Sequence, residues 1–431
     1  MDRLIRSRAG NLMAALLLTA ASCAPQDLAP GVVMLSRIKA HARDEAARLP
    51  NYTCLETITR FERTGGGKLN ALDTVRLEIV YSDHREWYGA PGDRSLSQDD
   101  PASFVGSGLI GNGVFASTLH NILTAATFIY KGEQPINGRT GLQYDFLLPR
   151  GLNGLQISVV GGSGSVGERG SLWADPKTFE LIRMENNADD IPGYLPLAAA
   201  STAVDYARTV ISGQSVLLAQ QAEMRLKETS GAEAYDRVDF THCRAYSTES
   251  TIRFDVGESE PVAPAAARQS ASPPESVPAN LMAIVSLSTP INSNDAVGQL
   301  IEGKMVGSLT RKGVVVVLDG AAVHGRIRRL ERYQGSDPDT FIVGLEFTEV
   351  ETPGGLVPFY ADLLRMDPVR GVKPLLSHTV VVHNIGSDLT TRETVTLPEL
   401  PGVASFFVSG NAFTLAAGLR TVWRTRGPIR R

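Results

Sequence analysis

Cysteine, histidine and aromatic residues are all scarce in this 431-residue chain, which has 3 cysteines, 7 histidines and 6% aromatics. Cysteines as far apart as Cys23, Cys54 and Cys243 form neither a CxxC redox pair nor a zinc cluster. No HExxH occurs, and His41, His84, His120, His242 and His324 stand singly, the pattern of satisfied or solvated rings. His378 and His383 bracket a strand-like run at an odd separation, which puts them on opposite faces of a sheet. A G-x-S-x-G nucleophile elbow is missing too. Asp99-Asp100 and Asp189-Asp190 lie in turn-like sequence, where adjacency does not set the separation of a glycosidic acid pair. No catalytic constellation, metal or cofactor is implied.

Charge of one sign is also absent. With 42 basic against 46 acidic side chains the formal charge is -4, so no strong field draws the chain onto nucleic acid. No apolar run approaches the roughly 20 residues of a membrane-spanning helix.

What is present is an ordinary globular composition, 43% hydrophobic and 20% charged, with enough residues for two or three cores. Residues 1–24 read as a signal peptide. Arg3, Arg6 and Arg8 precede the apolar run Leu12 to Ala21, and small residues follow. Thr19-Ala20-Ala21-Ser22-Cys23 resembles a lipobox without its usual Leu, so Cys23 is a candidate for lipidation; soluble export, with cleavage after Ala21 or Ala24, is the alternative. Either way the expectation is an exported protein of the periplasm or outer membrane, held to a membrane only by a lipid anchor. In such a compartment the two remaining cysteines, Cys54 and Cys243, favour a disulfide between two strand-like runs, with a pair of free buried thiols as the alternative.

The clearest boundary is the stretch 257–278, rich in Pro, Ala, Ser and charge, which reads as a disordered linker. The segment 31–256 before it opens with an amphipathic helix carrying Leu35, Ile38, Ala42, Ala46 and Leu49 on one face and ended by Pro50. Strand patterns follow, including a hairpin from Val75 to Tyr88, and a second helix from Asn112 carries Phe115, Leu119, Ile122 and Leu123. Strands return over 127–130, 142–148, 155–160, 170–174, 179–186 and 202–211. The segment 279–431 has the texture of an all-β domain, a small barrel or sandwich. The expected class is therefore mainly β (α+β), a curved antiparallel half barrel with covering helices, then the linker, then the all-β domain.

Gly162 to Gly167 matches G-x-G-x-x-G, but a strand rather than a helix follows, so it reads as a glycine-rich hairpin loop. Arg326, Arg328 and Arg332 on one strand, and the arginines from Arg420 to Arg431, read as a solvated face and tail, with anionic lipid or wall polymer as alternative partners.

Trp173, Asp175, Thr178, Leu181 and Arg183 make a W-x-D-x-x-T-x-x-L-x-R hairpin. With the order of elements from Leu49 to Phe254, it resembles the lipoprotein-carrier and sigma-regulator-type half barrels of the bacterial envelope. That resemblance implies an open barrel whose concave apolar face takes acyl chains under helical lids. It places a ligand groove at Phe115, Leu119, Ile122 and Leu123. The second domain, through Leu287-Ser288-Thr289, Ala296-Val297-Gly298, Val314 to Leu318 and Gly320 to Gly325, is similar to the β-domain of type IV secretion and conjugation scaffold proteins, from which only β architecture carries over. The expected function is a non-catalytic envelope protein that binds a hydrophobic ligand, such as a lipid, or a segment of another envelope protein. An envelope hydrolase whose site assembles only in three dimensions is the alternative.

Overall fold

The computed structural model describes residues 28–63, 67–82, 85–92, 96, 116–152, 154–159, 161–246, 276–334, 339–374, 379–385, 390–396, 400 and 402–428. The signal segment with Cys23, Phe115, Asn112, His378 and most of the 257–278 stretch lie outside them.

The first half contains helices α1 (Pro30–Arg48) and α2 (Ala116–Ala125) and eleven strands. These are β1 (Tyr52–Arg63), β2 (Asn70–Ser82), β3 (Arg85–Gly89), β4 (Thr127–Ile136), β5 (Arg139–Leu148), β6 (Leu155–Val159), β7 (Gly162–Ala174), β8 (Leu181–Asp189), β9 (Leu197–Ile211), β10 (Gln214–Glu228) and β11 (Glu233–Ala245). They form one antiparallel sheet in the order β3-β2-β1-β11-β10-β9-β8-β7-β5-β4, with β6 beside β7. The first long strand thus lies against the last, and Cys54 of β1 is joined to Cys243 of β11 by a disulfide with Cα atoms 4.1 Å apart. The sheet curls into a half barrel whose inner face meets the two helices. Pro30 starts α1, where a missing N–H costs nothing, and Ile38 on its inner face is fully buried.

The second half adds β12 (Met282–Leu287), β13 (Ile291–Asn292), β14 (Leu300–Met305), β15 (Leu309–Arg311), β16 (Val314–Val317), β17 (Ala322–Tyr333), β18 (Thr340–Thr352) and β19 (Gly355–Pro358). After them come β20 (Ala361–Met366), β21 (Val372–Pro374), β22 (Thr379–Ile385), β23 (Thr390–Thr396), β24 (Ala404–Ser409), β25 (Thr414–Leu415) and β26 (Arg420–Thr425). Nine of these form a sheet ordered β20-β26-β12-β14-β17-β18-β24-β21 with β19 beside β18. The other six make three two-stranded ribbons.

One stretch with no reading from sequence is a strand, and one reading changes. The strand β10, with its Gln, Ala, Glu and Lys, carries little β-branched signal, yet Val216, Leu218, Ala222, Met224 and Leu226 are buried with the alternation of a half-buried strand. Packing between neighbours overrides its composition. The run Gly162 to Gly167 is strand rather than hairpin loop: it pairs with β6, and the turn falls at Gly161, which has φ +92°.

The two sheets meet. Arg76 N–H donates to Val297 O at 2.9 Å, and Val297 N–H donates to Thr74 O at 2.8 Å. Next to that bridge a Cβ on Gly298 would come within 2.3 Å of Arg76 O, so only glycine allows this approach. Ile58, Val75 and Leu77 share one buried cluster with Val297, Ile327 and Leu330. Arg326 is not the solvated residue the sequence pattern predicts: it is 7% exposed and its Nη1 donates to Pro91 O at 2.8 Å and Gly298 O at 3.0 Å. Register slips around Ile327 break the alternation that would have put the arginines on one face, and Arg328 pairs with Glu346, Arg332 with Asp339. Val277, at the end of the linker stretch, is buried, and its N–H donates to Pro358 O at 3.1 Å.

Candidate functional site

The inner face of the half barrel is divided along its strands. Alternation on β1 turns Tyr52, Cys54, Glu56, Ile58 and Arg60 inward, and the register sets Tyr81, Ile79, Leu77 and Val75 of β2 beside the first four. At the Ile58 and Arg60 end this face packs on the second sheet. At the Tyr52 and Cys54 end it faces the helices across a cavity of about 500 Å³, within the range of small-molecule sites.

Both helices wall this cavity. From α1 come Ala42 and Ala46, from the residue after it Leu49, and from α2 come Leu119 and Leu123. The sheet contributes Ile79, Leu181, Leu217 and Phe240. Of the groove residues named from sequence, Leu119 and Leu123 line the cavity. Ile122 is fully buried in the core and is absent from that lining; Phe115 lies outside the described residues. The contribution of α1 was missed, although its apolar face was legible as Leu35, Ile38, Ala42, Ala46 and Leu49.

The helix is fastened at both ends. The Tyr144 hydroxyl donates to Gly31 O at 2.7 Å at its start. Near its end Arg208 of β9 reaches Glu45 of α1 at 3.2 Å and Glu180 at 2.6 Å. Between them Lys39 stands 4.6 Å over the Phe128 ring.

The W-x-D-x-x-T-x-x-L-x-R residues build the turn that delivers Leu181 to the cavity. Asp175 Oδ1 accepts from the N–H groups of Lys177 at 2.8 Å and Thr178 at 3.0 Å, and these bonds hold its carboxyl below the usual range. Arg183 pairs with Glu185 at 2.8 Å and Asp205 at 2.6 Å.

Polar groups also reach this space. Glu86 lines it, with the Tyr88 hydroxyl donating to its Oε2 at 2.7 Å, and burial raises the Glu86 carboxyl. Glu56 lies farther down the same face, 3% exposed; burial, then the neighbouring Glu86 and Asp236, push its carboxyl up to about 8. The Tyr206 hydroxyl and His41 Nε2 are buried without a hydrogen-bond partner among the described residues, and both residues line the cavity. The His41 side chain is 24% exposed, so part of its ring is solvated while Nε2 is turned inward. No alternation or motif in the sequence marked it, because its surroundings come partly from β8 and β9. Among the described lining residues there is no serine, and the cysteine, Cys54, is bonded to Cys243. The arrangement has the materials to enclose a ligand.

No family model matches the chain, and no curated protein matches it. Among solved structures, a DUF1329 family protein from Desulfovibrio piger is 13% identical, covers 54% of this chain and 96% of its own, and gives a TM-score of 0.29. An outer membrane lipoprotein-sorting protein domain from Vibrio parahaemolyticus is 11% identical over 49% of this chain and 92% of its own, with a TM-score of 0.28. A LolA superfamily protein from Nitrosomonas europaea is 11% identical over 51% of this chain and 95% of its own, with a TM-score of 0.24. Likeness at this level says nothing of what this chain binds.

Proposed function

We propose that this chain is a non-catalytic, exported cell-envelope protein that holds a hydrophobic ligand, or an apolar segment of another envelope protein, between the helices and the inner face of its half barrel. The observation that carries this reading is the cavity of about 500 Å³ under α1 and α2, with leucine and alanine side chains on both walls and aromatic rings on the sheet side. Space lined in this way favours an apolar occupant, because water inside it finds few partners. The signal-like first 24 residues support export, and Cys23 is the proposed attachment point if the protein is lipid-anchored. Native mass spectrometry of the protein purified from membranes tests both parts. The expected result is a co-purifying hydrophobic ligand and a mature chain beginning at an acylated Cys23. Failure to bind any apolar fluorophore overturns the ligand reading, and an unmodified mature terminus overturns the anchor.

A further inference from the structure

We propose that the hairpin of β15 and β16 is a membrane-contact finger that rests on an anionic lipid surface, an attachment additional to any acyl chain at Cys23. The inference is independent of the cavity. The base of the hairpin is fixed in the core: Leu309 and Val317 pair across it and are 4% and 0% exposed. Asp319 Oδ1 accepts the Gly307 N–H at 2.7 Å, and the Asp319 N–H donates to Ser308 Oγ at 3.1 Å, so the two strands are tied where they leave the core. Beyond that point neither face is covered. Val314 and Val315 are neighbours on β16 and turn to opposite faces, yet they are 67% and 49% exposed. Positive φ at Lys312 (51°) and Gly313 (82°) is the signature of a tight type I′ turn, and a Cβ on Gly313 would meet nothing within 4 Å.

Charge at the tip is one-sided. From Lys304 to Leu318 the cations are Lys304, Arg311 and Lys312 and there is no acid, in a chain of formal charge -4. Arg311 and Lys312 make no ion pair among the described residues, whereas Arg328, Arg332 and Arg426 are each engaged by a carboxylate. A folded acidic partner would satisfy the cations and still leave an apolar side chain on the far face of the ribbon. The headgroup boundary of an anionic bilayer surrounds the whole tip, offering phosphates to the cations and acyl carbon to both valines. Lys312 at the turn keeps the contact shallow. The long stems of Arg311 and Lys312 hold their charges among the phosphates while Val314 and Val315 reach the acyl boundary, and the unpaired edges of the ribbon stay within reach of water. A single acyl chain holds a protein to a membrane only marginally, so a second contact of this kind is what stable attachment requires.

The test is cosedimentation of the purified mature protein with vesicles of phosphatidylcholine alone and of phosphatidylcholine mixed with phosphatidylglycerol. Whatever the N-terminus contributes is common to every variant. The wild type should bind the mixed vesicles more tightly, and added salt should remove the difference. Arg311→Gln with Lys312→Gln should weaken binding to mixed vesicles about ten- to thirtyfold, the scale of two charges at such a surface. Val314→Ser with Val315→Ser should weaken binding to both kinds of vesicle about tenfold. All four positions are exposed, so the urea midpoints should stay at the wild-type value. Wild-type affinity in either double variant, or no preference for phosphatidylglycerol, overturns the proposal. Association between copies of the chain that the serine variant abolishes, without any binding to vesicles, overturns it too and makes the hairpin a contact between proteins.

Discussion

Arg60 on β1 clasps Asp73 on β2 through two bonds, Nε to Oδ1 and Nη2 to Oδ2, each 2.6 Å long, with side chains 2% and 1% exposed. The register sets the two residues opposite each other at the end of the inner face that the second sheet covers. Asp236 of β11 and Glu331 of β17 act on the same guanidinium, so the pair anchors a buried polar cluster between the sheets. Removing one partner strands the other charge. Arg60→Met should therefore cost about 3–5 kcal/mol, and Arg60→Met with Asp73→Leu should recover most of it. Urea unfolding of the full chain measures both; a single-variant loss under about 1 kcal/mol would mean that the pair is effectively solvated.

Glu56 makes stability fall as pH rises. Its folded carboxyl is pushed up to about 8, above the ordinary value of 4.5, so between those values the folded state holds a proton that the unfolded state has released. The slope of unfolding free energy against pH is then negative, up to about 1.4 kcal/mol per pH unit for this one group. Glu56→Gln should leave stability nearly unchanged at pH 4 and raise it by a few kcal/mol at pH 8. Equal effects at the two pH values would show that Glu56 is ionised in the folded protein.

The junction between the sheets predicts that they stay together when the chain between them is cut. The Pro, Ala and Ser composition of 257–275 makes that stretch the expected site of limited proteolysis. The backbone bonds around Val297 and the shared core should keep the fragments co-eluting and melting in one transition. Val297→Asp places an unpaired charge in that core and should release them. Fragments of the native sequence that separate on a sizing column, or melt independently, would show that the two halves are autonomous.

Much of this architecture was legible from alternation. The hairpin of β2 and β3 shows it, because burial on one face writes a period of two into the sequence. What alternation conceals is identity at inward positions. Glu56, Arg60 and Asp236 point into the barrel, yet a charged residue type gives no sign of burial in the sequence; the acids acting on Arg60, Asp73 of β2, Asp236 of β11 and Glu331 of β17, meet only in the fold. The cavity was only half legible for a related reason. Leu119 and Leu123 announce an apolar face of α2, whereas Tyr206 and His41 gain their meaning only when β9 and α1 are brought to opposite walls. Composition left β10 unmarked: many of its residues favour helix in isolation, and they take their strand form from β9 and β11 on either side.

Reduction should weaken the whole protein, not its first half alone. The disulfide between Cys54 and Cys243 spans 189 residues and ties the first strand of the half barrel to the last. In the chain-entropy account a loop of that length contributes up to about 5 kcal/mol, with structure in the unfolded state lowering the figure. Because β1 and β2 also carry the junction with the second sheet, the loss is transmitted to residues that contain no cysteine. A reducing agent, or Cys54→Ala with Cys243→Ala, should lower the urea midpoint of the single transition reported by probes in both halves. Cys54 is also part of the cavity wall, so the same treatment should weaken fluorophore binding before unfolding begins. Thiol labelling that finds both cysteines free in the native exported protein, or a urea midpoint indifferent to reductant, would remove the bridge from the account and leave strand pairing alone to close β1 on β11.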